Sequence, residues 1–162
     1  MRGEYFSYGL LTALAIALVI AAATDLRRRQ IDNTLNAAIA LAAPLFWIAS
    51  GFTLAQAGWQ LATALLAFAI LAGLFALRMM GGGDVKLLAA LALWIKPLWF
   101  VQLLLVMAVV GGLLTVIFGA WHVARRRKDK IAIPYGVAIA FGGLWTLASQ
   151  YLPLAQAGAS FG

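Results

Sequence analysis

The chain contains no cysteine, a single histidine and only five acidic residues among 162. Without cysteine there is no disulfide framework, no thiol nucleophile and no zinc-thiolate module. The one histidine, His122, stands beside a run of basic residues, so neither a Ser-His-Asp triad nor a His-Glu-x-x-His zinc site is in prospect. Charge of either sign is scarce. Charged residues make up 10% of the chain and hydrophobic ones 65%, with mean hydropathy +0.97, whereas soluble domains average about 25% and about 45–50%. This excludes disorder and an ordinary cytosolic enzyme, and makes lipid the solvent of the fold.

The few charges nearly fix the topology. Uncharged stretches run over residues 5–24, 33–77, 97–121 and 131–162. A membrane helix needs about 20 apolar residues, so these hold one, two, one and one spans. The remaining apolar piece, Leu87–Ile95, is short. If residues 87–121 formed one bent span, Arg27–Arg29 and Arg125–Lys130 would face opposite sides, against the positive-inside rule. A turn near Lys96-Pro97 instead predicts a short fourth span, roughly Asp84–Ile95, and a fifth over 98–121. Arg27, Arg28, Arg29, Arg78, Lys86, Arg125, Arg126, Arg127, Lys128 and Lys130 then lie inside, and only Arg2 and Lys96 outside. The expectation is an all-α membrane protein of six transmembrane helices, one domain over 1–162, with both termini on the non-cytoplasmic side. The net charge of +7 belongs to the inner loops, and no nucleic-acid partner is expected. The first apolar stretch ends in Asp25 and arginines rather than a small-residue cleavage site, so it reads as helix 1 and not as a signal peptide.

Turns are expected at Ser50-Gly51 to Gly58, at Met79-Met80-Gly81-Gly82-Gly83 and over His122–Ala132, and the six tryptophans fall mostly near span ends, as an aromatic belt would place them. Of the acids, Glu4 lies at the outer terminus and Asp129 in the basic loop. Asp25 ends helix 1 and Asp84 opens helix 4, both on the inner side. Ionisable groups at such positions are costly and mark function. Two neighbouring carboxyls sharing one proton support hydrolysis, one taking a proton from water while the other donates a hydrogen bond to the scissile carbonyl. The dipole of each acid's own helix makes Asp84 the ionised base and Asp25 the protonated acid. Structural alternatives stand beside this: Asp84 as the N-cap of helix 4, Asp25 paired with Arg28 or Arg29, and the glycine run as a turn of permissive backbone rather than a place for close substrate approach.

The string Gly81-Gly82-Gly83-Asp84-Val85-Lys86-Leu87-Leu88 resembles the GxGD motif of the type IV prepilin peptidases, a family of intramembrane aspartic proteases. Asp25-Leu26-Arg27-Arg28-Arg29-Gln30-Ile31-Asp32-Asn33 is similar to the family's first motif, an Asp followed by basic residues and Ile-Pro-Asn, with Asp32 in place of the proline. Either Asp32 or Asn33 can cap helix 2. Ile133-Pro134-Tyr135-Gly136-Val137-Ala138-Ile139-Ala140 looks like the segment opening the family's last helix. The resemblance implies Asp25 and Asp84 as the catalytic pair, with Gly81, Gly83, Lys86, Asn33, Pro134 and Gly136 as substrate-binding or structural support. Lys86 either steadies the charge of the pair or meets lipid phosphate. The resemblance also implies a prepilin or pseudopilin substrate, cut at the cytoplasmic face of a bacterial inner membrane just before its hydrophobic helix. No metal and no cofactor are expected. The long form of the family has a cysteine-rich N-terminal region and methylates the new N-terminus. A chain without cysteine resembles the short form found with Flp/Tad-type pili, and is expected to cleave without methylation.

Two rivals stand against this reading. The signal-peptide and presenilin type of aspartic protease has its partner Asp within a helix, whereas Asp25 precedes a basic loop. A proton- or ion-coupled transporter would use Asp25 and Asp84 as a relay and release no peptide.

Overall fold

In a computed structural model, residues 2–125 and 133–159 are described. They form six helices and no strand: α1 (Arg2–Arg28), α2 (Asn33–Ala49), α3 (Leu54–Ala76), α4 (Gly82–Ala92), α5 (Pro97–Ala124) and α6 (Tyr135–Ala159). Glu4–Arg28, Leu54–Ala76 and Pro97–His122 are long and apolar enough to cross a membrane. Residues 126–132 of the expected last inner turn, Asp129 and four of its basic residues among them, lie outside the described residues.

The helix ends follow local chemistry. After α2, the amides of Gly51 and Phe52 return to the carbonyls of Ile48 and Trp47, with Gly51 at φ 68°. This is the Schellman geometry, and glycine enters its left-handed position without strain. The end of α3 repeats it with Arg78 at φ 59° as the left-handed residue and amides returning to Phe75 and Leu74. α3 itself opens on a reciprocal capping box, Thr53 Oγ1 accepting from the Gln56 amide and Gln56 Oε1 from the Thr53 amide. The turn between α2 and α3 is thus tighter than expected, with Gly58 inside α3. Likewise α5 continues through His122 to Ala124.

The short fourth helix is the centre of the bundle. α4 packs against α2, α3 and α6, α1 against α2 and α6, and α5 against α6. Its Val85, Leu87, Leu88, Ala90, Leu91 and Ala92 are all buried, as are Trp94 and Ile95 after it. Eleven residues span about 16 Å, roughly half of a bilayer core, and the helix ends among buried side chains, Ala92, Trp94 and Ile95. Carbonyls exposed there need partners, because hydrocarbon supplies none. Side chains of other helices provide them. Gln60 Nε2 of α3 donates to the carbonyls of Ala92 and Ile95, both at 2.7 Å, and Trp47 Nε1 of α2 donates to that of Leu93 at 2.8 Å.

Two of the tryptophans therefore depart from the aromatic-belt expectation. Trp94 is buried, stacked on Phe46 with ring centroids 5.1 Å apart, and its Nε1 donates to the Ile39 carbonyl. Trp47 is half-buried and serves the end of α4. Trp59, Trp121 and Trp145 are exposed.

Small residues on α6 set its distance from two neighbours. A Cβ at Gly143 would lie 2.9 Å from Leu18 Cδ1 of α1, and one at Gly142 would lie 2.9 Å from the Leu103 carbonyl oxygen of α5. Helices approach this closely only where side chains are missing.

Candidate active site

The C-terminal ends of α1 and α3 and the N-terminal ends of α2, α4 and α6 meet in one place. Asp25 sits in the last turn of α1 and is buried, 6% exposed. One of its carboxylate oxygens, Oδ2, accepts the backbone N–H of Gly136 at 2.8 Å. Gly136 is the second residue of α6, where amides have no partner within their own helix. The Val137 amide also faces the carboxyl, and the Arg29 guanidinium is within electrostatic reach of it. Arg29, at φ 56°, turns the chain out of α1, and its guanidinium lies 5.4 Å from the Phe118 ring centroid of α5. The ends of α1 and α5 thus share one side of the bundle, as the turn at Lys96-Pro97 requires.

Asp84 is the third residue of α4 and does not cap it; the cap position is Gly81. Its carboxyl folds back over that residue, Oδ2 lying 2.8 Å from where a Gly81 Cβ would stand, with the Gly81 N–H facing it. Asp25 and Asp84 interact electrostatically and border one cavity of about 390 Å³, together with Arg29, Ile31, Asp32, Asn33 and the three glycines.

In the sequence each acid shows only the dipole of its own helix. The structure adds the N-terminus of α6, which faces Asp25. Each carboxyl therefore meets a helix N-terminus, and dipoles do not divide the two roles.

The glycine run works differently from the expected turn. Gly82 and Gly83 belong to the first turn of α4, and Gly51 is the described glycine with positive φ. What the run provides is close approach. A Cβ at Gly82 would meet the Phe75 ring at 3.2 Å and one at Gly83 would meet Ile31 Cβ at 3.4 Å. The Gly83 carbonyl accepts Asn36 Nδ2 at 3.3 Å.

Lys86 is directed to neither carboxyl by a hydrogen bond; its Nζ donates to Asn33 Oδ1 at 2.7 Å, an exposed pair joining α4 to the start of α2. Asp32 occupies the N-cap position of α2, but its side chain makes no cap bond. Its backbone, at φ −65° and ψ 135°, has the value that a proline ring imposes, so replacing the motif's proline leaves the loop geometry in place. Pro134 is fully buried directly before α6.

Sequence reasoning passed over Asn36 and Gln60. Both are buried amides, on α2 and α3, and both hold α4 through its backbone. Their signal was a polar amide inside a stretch read only for charge.

The model of the type IV leader peptidase family matches residues 12–116, a range that includes Asp25, Asp84 and the glycine run and ends before Gly136. Neither a curated protein nor a solved structure matches the chain. With about two thirds of its length matched by that model and two buried or half-buried aspartates meeting at one cavity, the chain belongs to the type IV leader peptidase family.

Proposed function

We propose that this protein is an intramembrane aspartic endopeptidase that removes the basic leader from Flp-like prepilins or pseudopilins, with Asp25 and Asp84 as its catalytic pair. The observation that carries this reading is the shared cavity: residues 59 positions apart, on two different helices, present their carboxyls to the same space. Like charges in a poorly solvated site repel, so bringing the two carboxyls together costs stability.

The chemistry follows from the pair. One carboxylate removes a proton from a water as its oxygen attacks the peptide carbonyl, and the other carboxyl, protonated, hydrogen-bonds the carbonyl oxygen. The proton then passes to the leaving nitrogen, and the C–N bond breaks. Gly136 holds Asp25 in place through its amide, and Gly81 leaves room for Asp84.

Six spans, outer termini and a cytoplasmic active site are supported by the positive-inside rule, since the sequence expectation assigns ten basic residues to the inner loops and two to the outer ones. That side, in a bacterial inner membrane, is where a basic leader remains after the pilin's apolar helix inserts. The absence of cysteine supports cleavage without N-methylation.

Co-expression with a Flp-type prepilin, followed by mass spectrometry of the pilin N-terminus, tests the reading. Loss of the leader without an added methyl group is expected. A pilin that keeps its leader beside well-inserted protein, for every Flp-type prepilin supplied, overturns it.

A further inference from the structure

Among the described residues α3 packs closely against α4 alone, which leaves a groove on each side of it: one toward α2, of about 420 Å³, which neither Asp25 nor Asp84 borders, and one toward α5. α3 rests on α4 and α5 rests on α6, with no comparable packing between α3 and α5. At the level of Asp84 this gap holds a cavity of about 760 Å³, larger than the one between the two carboxyls. Phe75, Met79 and the charged Arg78 wall it from the α3 side, Met107 from α5 and Tyr135 from the start of α6. Gly81 and Asp84 border both cavities, so the two spaces meet at a carboxyl.

The lining indicates what fills it. Methionine and aromatic side chains form a surface that adapts to varied apolar shapes. Acyl chains satisfy such a surface, but they offer nothing to a carboxyl set in its wall, and an unmatched polar group against hydrocarbon costs several kcal/mol. A peptide helix offers both. Its apolar side chains meet Phe75, Met79 and Met107, and the backbone at its unwound end brings N–H groups and a carbonyl to Asp84. The volume is in the range of about 300–1,000 Å³ typical of built ligand sites.

We infer that the cleft between α3 and α5 is the lateral entry and docking groove for the apolar membrane helix of the substrate, and that it delivers the peptide bond at the end of that helix to the cavity between Asp84 and Asp25. This rests on the peptidase reading above. In this arrangement the substrate helix completes the bundle, standing where α3 and α5 leave each other unpartnered. Selection among substrates then lies with the side chains around Met79 and Met107, at some distance from the reacting carboxyls.

The natural absence of cysteine gives a clean background for the test. A Met79→Cys, Met107→Cys double variant, reconstituted in vesicles with a prepilin that the wild type cleaves, is bridged with a reducible bis-methanethiosulfonate. Bridging, verified by mass, is expected to lower cleavage at least tenfold, and reduction to restore it. A Leu10→Cys, Ala42→Cys pair, bordering a separate cavity between α1 and α2, is expected to cleave equally well when bridged. Full activity of the bridged Met79/Met107 variant overturns the proposal. If that variant is inactive before bridging, a benzophenone attached at Met107→Cys decides instead. Photo-adducts with prepilin there, absent from the same label at Leu10→Cys, uphold the groove, and adducts with lipid alone overturn it. Wild type that cleaves no prepilin is a separate result: it removes the peptidase reading, and the groove falls with it.

Discussion

The second amide of α6, that of Gly136, is bonded to the carboxylate of Asp25 in the last turn of α1, 111 residues earlier, at 2.8 Å. The bond ties the opening of the last helix to the closing of the first and fixes the orientation of one of the two proposed catalytic groups. Glycine is needed there because a Cβ would stand 2.9 Å from Cβ, Cγ and Oδ2 of Asp25.

Gly136→Ala therefore forces the Asp25 carboxyl away and breaks the bond. A hydrogen bond to a charged group is worth about 1.5–3 kcal/mol, so leader cleavage is expected to fall roughly ten- to a hundredfold, since about 1.4 kcal/mol is tenfold in rate. Gly112→Ala, where a Cβ would meet nothing within 4 Å, is expected to cleave like wild type. Rates from a quenched prepilin assay in vesicles compare the two.

Gln60 carries the buried end of α4 on one side-chain nitrogen. Gln60→Leu keeps the volume and leaves the Ala92 and Ile95 carbonyls without that donor. At about 1–3 kcal/mol for each orphaned acceptor, a clear drop in thermal midpoint in detergent is expected. An unchanged midpoint would show that α4 ends without help from α3.

The two adjacent glycines of α6 are expected to respond differently. At Gly142 an added methyl group meets the backbone oxygen of Leu103, which moves only if α5 moves. At Gly143 it meets the tip of the Leu18 side chain, which can rotate. Gly142→Ala should lower the thermal midpoint more than Gly143→Ala, and equal effects would contradict the account of how α5 is held.

Trp94→Phe retains an aromatic ring against Phe46 and loses the bond from Nε1 to the Ile39 carbonyl. The expected loss of stability is about 1 kcal/mol, read from denaturant unfolding in micelles. A membrane-belt tryptophan would be indifferent to the change.

Charge makes most of the helices legible in the sequence. Because acids and bases are excluded from hydrocarbon, their positions mark most helix ends within a few residues, the uncharged turn between α2 and α3 excepted, and Asp25 and Asp84 stand out as acids at helix ends, with Asp32 beside them at the start of α2. Neutral polar groups were harder to read. Asn36, Gln60 and Trp94 act through backbone carbonyls of other helices, and such partners depend on packing that no pattern in the chain reveals. The glycine run is legible in part: Met79, Met80 and Gly81 do lie in the turn between α3 and α4, while Gly82 and Gly83 open α4. Those two need space against Phe75 and Ile31, neighbours brought there by tertiary structure, so a sequence suggests close approach without naming what approaches. The role of Gly136 was visible as part of a motif, but its partner was not.

The central claim, that Asp25 and Asp84 together cleave a prepilin, is tested most directly by comparing wild type, Asp25→Asn and Asp84→Asn in the same vesicles with one Flp-type prepilin, reading the pilin N-terminus by mass spectrometry. Leader loss is expected with wild type, and a reaction at least about 100-fold slower in each variant, with membrane insertion unchanged. A well-inserted Asp25→Asn or Asp84→Asn protein that removes the leader at the wild-type rate would contradict it.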